Sequence, residues 1–389
     1  MSLEGRQVLV TGATGFIGGR LVEELVLAQG ATVRCMVRDL RKASRIARFD
    51  LDIVQGDFAD PRAVDEAVQG SEIVFNLAFD FSEVNKHDGR MNTVGADNLC
   101  KSALKHGATL VHVSTGDVYG WPENGTIDES QPRRPDFSAY ARSKIAIEDI
   151  FLGYQRDRGL RATILQPTLV YGPYSGPWTT TPVKQLREGV VVLVDGGTGT
   201  CNLVYVDDVV NAMIAASTND EAMGKSFLIS GADTVTWKQF YSRYEDIIGT
   251  KSTISKTTGE LRTMIESSNQ QNGKSFPANL FKFAAPLREP VKRVPGSVSA
   301  VRKLKSLAAS PGQRTKSAPA SPRPTAARSK PAENDGKVLF PDEARLKLSR
   351  SNATVSTERA RKILGWEPQY DFVQGMNLTA EFIRWAKLA

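Results

Sequence analysis

Residues 8–18 read Val-Leu-Val-Thr-Gly-Ala-Thr-Gly-Phe-Ile-Gly, an apolar run followed by glycines at 12, 15 and 18. Val8 to Val10 has the pattern of a buried strand. The three glycines permit a tight turn, a close approach of a pyrophosphate and close helix packing, while the helix behind them offers amide donors and positive potential. A glycine cluster alone is common in turns. Between a strand and a helix running through Leu21, Leu25 and Leu27, it points to a dinucleotide site that includes Phe16 and Ile17.

Working outward, Val33 to Val37 reads as the second strand. Further apolar runs at Ile73-Val74-Phe75, Leu110-Val111-His112-Val113 and Ala162-Thr163-Ile164-Leu165 are separated by helical patterns. This succession predicts an α/β chain with a Rossmann-like, doubly wound parallel sheet and a smaller C-terminal substrate lobe. Residues 1–167 are expected to be predominantly the dinucleotide-binding domain, and 168–250 to mix lobe and returning sheet elements. Asp207-Asp208 ahead of Val209, Val210, Met213 and Ile214 resembles a capped helix start, Phe227 to Ile229 a strand and Thr236 to Ile248 a helix. Structure is expected to resume over 336–389 with further lobe elements.

Between Lys251 and Pro331 sixteen Lys and Arg face only Glu260, Glu266 and Glu289, against a whole-chain charge of +7. The basic excess therefore belongs to one insertion, 251–335, and is no nucleic-acid footprint of the body. Within it, 304–331 is rich in Ser, Pro, Ala, Arg and Lys and is expected to be disordered. Phe276 to Leu287 is more apolar, and leaves peripheral membrane contact open beside a plain role in the substrate lobe. Cys35, Cys100 and Cys201 are too few and scattered for a disulfide framework or a cysteine metal site, and a cytoplasmic location is the plain expectation. With only His87, His106 and His112, a metal site is not expected.

The end of the second strand discriminates between dinucleotides. A carboxylate there would accept the ribose hydroxyls of NAD; this chain has Val37 and then Arg38, whose guanidinium can clamp the extra phosphate of NADP. NADP is accordingly favoured over NAD, with a solvated Arg38 and an inward Asp39 as the alternative. Asp57, followed by Phe58, stands where it could accept from the adenine amino group. Leu77 and the small Ala78, behind Asn76, let the backbone approach the cofactor, and Pro167 closes a later strand.

Tyr140 and Lys144 are four apart and share one face of a helix. A nearby ammonium favours phenolate, so Tyr140 can move a proton while hydride passes to or from a nicotinamide, and Lys144 can also hold the nicotinamide ribose. Tyr-x-x-x-Lys by itself is ordinary on amphipathic helices. Thr115, expected at the end of the strand begun at Leu110, supplies a hydroxyl for the reacting oxygen, with Ser114 in support on the opposite face.

In these segments the chain resembles the extended short-chain dehydrogenase/reductase superfamily, particularly its NAD(P)-dependent epimerase/dehydratase branch. Thr-Gly-Ala-Thr-Gly-Phe-Ile-Gly at 11–18, Ser-Thr-Gly-Asp-Val-Tyr-Gly at 114–120, Tyr140 with Lys144, Gln166-Pro167 through Val170-Tyr171-Gly172-Pro173, and Val206-Asp207-Asp208 occur in the family's order. The resemblance implies a dinucleotide-dependent oxidoreductase or epimerase acting on a carbinol or ketone of a sugar or nucleotide sugar, and a homodimer. Two departures narrow it. Sugar dehydratases carry an acidic pair after the active-site threonine, whereas Gly116 stands here before Asp117, which favours redox or epimerisation over loss of water. The arginine that grips diphosphate ahead of Val-Asp-Asp is also missing from Thr200 to Tyr205. Arg187 or a basic residue of 251–303 could substitute. The alternatives are a sterol-like or other hydrophobic alcohol dehydrogenase, a sugar-nucleotide dehydratase, and a non-catalytic dinucleotide-sensing scaffold.

Overall fold

Seven parallel strands form the central sheet: β1 (Gln7–Thr11), β2 (Thr32–Val37), β3 (Asp52–Gln55), β4 (Ile73–Asn76), β5 (Thr109–Val113), β7 (Ala162–Pro167) and β12 (Ser226–Ile229). Their order is β12-β7-β5-β4-β1-β2-β3, so the chain reverses direction across the sheet between β1 and β4. A ligand crevice opens at such a reversal, beyond the carboxyl ends of the strands. The computed structural model describes residues 2–84, 90–264, 338–339 and 343–389. The expectations for 304–331 and for Phe276 to Leu287 lie outside them.

Alternation along the strands explains why both faces are covered. Val8 and Val10 of β1, Ile73 and Phe75 of β4, and Val111 and Val113 of β5 enter one core, while Leu9, Val74 and Leu110 enter the other. The first core receives α1 (Phe16–Leu27) and α7 (Val206–Ser217); the second receives α2 (Pro61–Val68), α4 (Arg90–His106) and α5 (Ala139–Arg158). The short α3 (Phe81–Val84) lies between β4 and α4. Arg20 on α1 binds the Asp207 carboxylate through Nε at 2.6 Å and Nη2 at 3.0 Å, tying α1 to α7.

Asp207 and Asp208 stand in the first turn of α7, but neither caps it, contrary to the sequence expectation: Tyr205 is the N-cap and makes no side-chain cap bond. Asp207 is taken by Arg20. Asp208 Oδ1 accepts from Gln369 N at 2.7 Å, which anchors the C-terminal segment instead.

The smaller lobe sits beyond the carboxyl ends of the strands and is built from short pairs. β8 (Leu169–Tyr171) pairs with β11 (Leu203–Tyr205), β10 (Thr200–Cys201) with β13 (Val235–Thr236), and β6 (Thr126–Ile127) with β16 (Thr354–Val355). β9 (Val190–Val194) lies between β14 (Thr253–Lys256) and β15 (Val338–Leu339). Among the described residues the lobe also holds α6 (Thr181–Glu188), α8 (Trp237–Ile248), α9 (Glu343–Arg350) and α10 (Phe372–Trp385). Thr236 and Gln239 close a capping box on α8, as Asp371 and Gln374 do on α10.

Candidate active site

Gly12 lies at φ +70, and a Cβ there would stand 2.7 Å from the Leu77 carbonyl carbon and 2.9 Å from Ala78 N. Only glycine lets the β1 turn and the end of β4 touch in this way. A Cβ on Gly18 would collide with the Gly12 carbonyl, so the helix can enter this close only without a side chain. Gly15 is the N-cap of α1, with no side-chain cap bond and no acidic residue in the first turn. The first amides of α1 therefore have no side-chain acceptor among the described residues, and a pyrophosphate fits that cradle.

A polar chain not legible in the sequence braces the cradle. Thr11 Oγ1 accepts from Ala78 N at 3.3 Å and donates to Asn76 Oδ1 at 2.8 Å, and Asn76 Nδ2 donates to His112 Nδ1 at 3.1 Å. His112 is stacked on Phe151 and held neutral by burial, with the Lys144 charge acting in the same direction. It is a packed strand histidine. Asp57 Oδ1 accepts from Ala59 N at 2.9 Å, shaping the turn after β3, and Phe58 covers the helix surface at Gly95, where a Cβ would strike the ring. The Phe16 carbonyl accepts from Arg45 at 3.2 Å, and Ile17 is partly buried against the core. Pro167 ends β7 across the crevice.

Arg38 is spent elsewhere than expected. Its Nη1 contacts Asp80 Oδ2 at 2.7 Å. Burial works against the Asp80 carboxylate, but Arg38 and Ser82 overcome it and hold the group near about 2, so the pair is charged throughout the neutral range.

Ser138 Oγ accepts from Ala141 N at 3.0 Å and starts α5, which fixes Tyr140 in its first turn and Lys144 one turn on. Thr115 does not end β5, as the apolar run predicted. Pairing stops at Val113, and Thr115 caps a 3-10 turn over Gly116–Tyr119, its Oγ1 accepting from Asp117 N at 3.2 Å. The Thr115 hydroxyl is also within hydrogen-bonding reach of the Tyr140 phenol, where it favours the phenolate. Burial pushes the phenol well above its ordinary range, and the Asp117 charge adds to that rise.

Lys144 is buried, and its Nζ donates to the Val113 carbonyl at 3.1 Å. It stands 4.4 Å from the centroid of Phe79 and 5.9 Å from that of Tyr140, so its charge lies nearer the Phe79 ring than the Tyr140 ring. Burial brings the ammonium down to about 8, against the opposing charge of Glu148. Phe81 stacks on Tyr140 at 5.5 Å and Phe79 meets it edge-on at 5.4 Å.

Asp117 accepts from Trp121 Nε1 at 2.8 Å, and burial raises its carboxyl. Arg345 on α9 lies 4.6 Å over Trp178 and 4.3 Å over Trp237, donates to the Tyr241 hydroxyl at 3.2 Å, and extends its charge to Asp117. No local sequence signal marks it; only the fold brings α9 over this end of the sheet. Arg187, one of the two substitutes offered for the missing arginine, donates to the Leu388 carbonyl at 2.8 Å. Among the described residues no cluster of His, Cys, Asp or Glu is placed to hold a metal, and no helix is long and apolar enough to cross a membrane.

A sequence model of the "NAD dependent epimerase/dehydratase family" matches residues 8–230. A dTDP-glucose 4,6-dehydratase of Streptomyces antibioticus is 33% identical over 52% of this chain, which spans 65% of that relative's length. A 2-alkyl-3-oxoalkanoate reductase of Stenotrophomonas maltophilia is 28% identical over 62% of this chain and 76% of its own. Among solved structures, a UDP-glucose 4-epimerase of Thermotoga maritima with UDP-glucose has a TM-score of 0.66 at 20% identity, covering 98% of this chain and 99% of that one. A dTDP-glucose 4,6-dehydratase of Bacillus anthracis in complex with NAD has a TM-score of 0.66 at 17% identity, covering 99% and 100%. NAD is also the nucleotide in the similar structures of a Streptomyces venezuelae dehydratase and a Bacillus cereus UDP-glucuronic acid 4-epimerase. The preference for NADP is thereby overturned: three of these similar structures hold NAD, and Arg38, the residue on which that preference rested, is paired with Asp80.

Proposed function

This chain belongs to the NAD dependent epimerase/dehydratase family, and from that premise we propose an NAD-using oxidoreductase or epimerase that works on a carbinol or ketone of a sugar or nucleotide sugar. One observation carries the chemistry: the Tyr140 phenol faces the Thr115 hydroxyl, one helical turn from the buried Lys144. Gly12, Gly15, Phe16, Ile17 and Gly18 hold the pyrophosphate end of the nucleotide, Asp57 and Phe58 its adenosine end, and Leu77, Ala78 and Pro167 line its path to the reacting centre. NAD bound there supplies the hydride acceptor and, in reverse, the donor.

Thr115 orients the reacting oxygen by a hydrogen bond. Tyr140 takes the hydroxyl proton as the carbinol becomes a ketone and returns it on reduction. Its phenol is raised by burial, so the phenolate needed for proton removal depends on charge arriving at the site. Lys144 already stands beside the ring in that raised state, so its part is to donate to the nicotinamide ribose, and the further positive charge would come with oxidised NAD. Phe79 and Phe81 pack against Tyr140 and hold its ring, and Arg345, whose charge reaches Asp117, takes a substrate phosphate in this reading.

Loss of water from the oxidised sugar is a second reading. It is favoured by the Asp117 carboxyl, buried, raised and within electrostatic reach of Tyr140, and by the relation to a dehydratase. Incubating the NAD-loaded protein with UDP- and dTDP-hexoses and following reduced nicotinamide and product mass tests both. The first reading requires either transient reduced nicotinamide with product mass equal to the substrate or reduced nicotinamide that accumulates in step with a product two hydrogens lighter. Product lighter by water selects the second, and no turnover of any nucleotide sugar overturns the substrate class.

A further inference from the structure

Glu148 lies on α5 one turn beyond Lys144, so both side chains leave the same face of the helix. Its side chain is 1% exposed, which for a carboxylate is expensive unless partners compensate. Gln166 Nε2 donates to Oε1 at 2.9 Å and Arg133 Nη1 to Oε2 at 3.3 Å. Ser114 Oγ has no hydrogen-bond partner within ordinary distance, yet it lies close enough to Glu148 to favour the charged carboxylate. The Tyr119 hydroxyl donates to Gln166 Oε1 at 2.9 Å, extending the network. An open cleft of about 470 Å³ beside β7 and β12 reaches these groups, lined by Glu148, Gln166, Tyr119, Arg133, Arg359 and Lys225. Packing alone would be served better by an apolar residue.

We propose that Glu148 is a positioning residue for Lys144: its carboxylate, one turn along α5 and braced by Gln166 and Arg133, keeps the buried lysine cationic, while the cleft lets the carboxyl exchange protons with water behind the catalytic face. This rests on the assignment of Lys144 to the cofactor and proton-transfer site above. The charges facing the pair are few. Lys144 is within electrostatic reach of Glu148 on its own helix and of the neutral His112 on β5, and stands 5.9 Å from the Tyr140 ring centroid. Glu148 meets Arg133, which is shared with Asp149, while Glu129 and Arg359 pair with each other across the cleft. Burial raises the Glu148 carboxyl, and Ser114, Gln166 and Arg133 bring it back toward the charged form. Glu148 in turn offsets part of the burial that pulls Lys144 down to about 8.

Acylation of Lys144 by acetic anhydride, read by mass spectrometry across pH with and without NAD, tests this without a substrate. Wild type should label with a midpoint near 8, and NAD should protect the residue. Glu148→Gln should move the midpoint down by about one pH unit, while Glu148→Asp, which keeps the charge, should stay close to wild type. A residue that only braced the helix would lower the melting temperature of both variants and leave the midpoint in place. Should Glu148→Gln not fold, Ser114→Ala removes one group that favours the carboxylate and should move the midpoint down by a smaller step. NAD protection with an unchanged midpoint in the charge-removing variant overturns this inference alone. Failure of NAD to protect wild-type Lys144 overturns the cofactor-site reading and this inference with it.

Discussion

Gly12 and Leu77 are pressed together at the point where the sheet reverses, with room for a hydrogen but not a methyl group between the Gly12 Cα and the Leu77 carbonyl. Gly12→Ala combines that clash with a side chain at φ +70, and the backbone strain alone costs about 1–3 kcal/mol. Urea unfolding should show at least that loss. Calorimetric titration of the folded fraction should show weakened NAD binding. Wild-type affinity in folded Gly12→Ala would remove the glycine turn from the cofactor site.

Lys144 ties pH to both stability and activity. In the folded chain it loses its proton near about 8, against 10.5 for an ordinary lysine. Between those values the unfolded chain binds more protons, so stability rises with pH across the window, and the burial penalty is present in full below it. Unfolding of wild type and Lys144→Met without cofactor, compared from neutral to alkaline pH, should show wild type gaining on the variant. Turnover should fall over the same range as the ammonium is lost. Parallel stability profiles would contradict the buried, charged placement.

In the proposed function Arg345 takes the phosphate-binding part of the arginine that the segment before Val206 lacks. Arg345→Gln should raise KM for a nucleotide sugar at least about tenfold, the scale of one charge-assisted hydrogen bond, and leave NAD affinity unchanged. Equal KM values for the two proteins would take Arg345 out of the substrate site.

What sequence could and could not foresee divides along physical lines. The strand-glycine-helix unit was legible because alternation in Val8, Leu9 and Val10 and the steric demand at Gly12 are local. Thr115 was misplaced onto the strand because apolar periodicity does not register where ladder pairing stops; its role as a cap depends on Asp117 N. Asp207 and Asp208 look like cap residues, but Arg20 and the Gln369 amide, both distant in sequence, claim them. Arg38 was misread for the same reason, since nothing near β2 announces Asp80. Arg345 was invisible until the lobe folded over Trp178 and Trp237.

The central claim is proton transfer by Tyr140, and single-turnover formation of reduced nicotinamide by Tyr140→Phe measures it most directly. The ring and its stacking on Phe81 survive this change; only the hydroxyl facing Thr115 is lost. With NAD loading matched to wild type and a nucleotide sugar that wild type turns over, the rate should fall by at least about 100-fold. A folded, NAD-loaded Tyr140→Phe protein that reduces its nicotinamide at the wild-type rate would show that the proton leaves by another route.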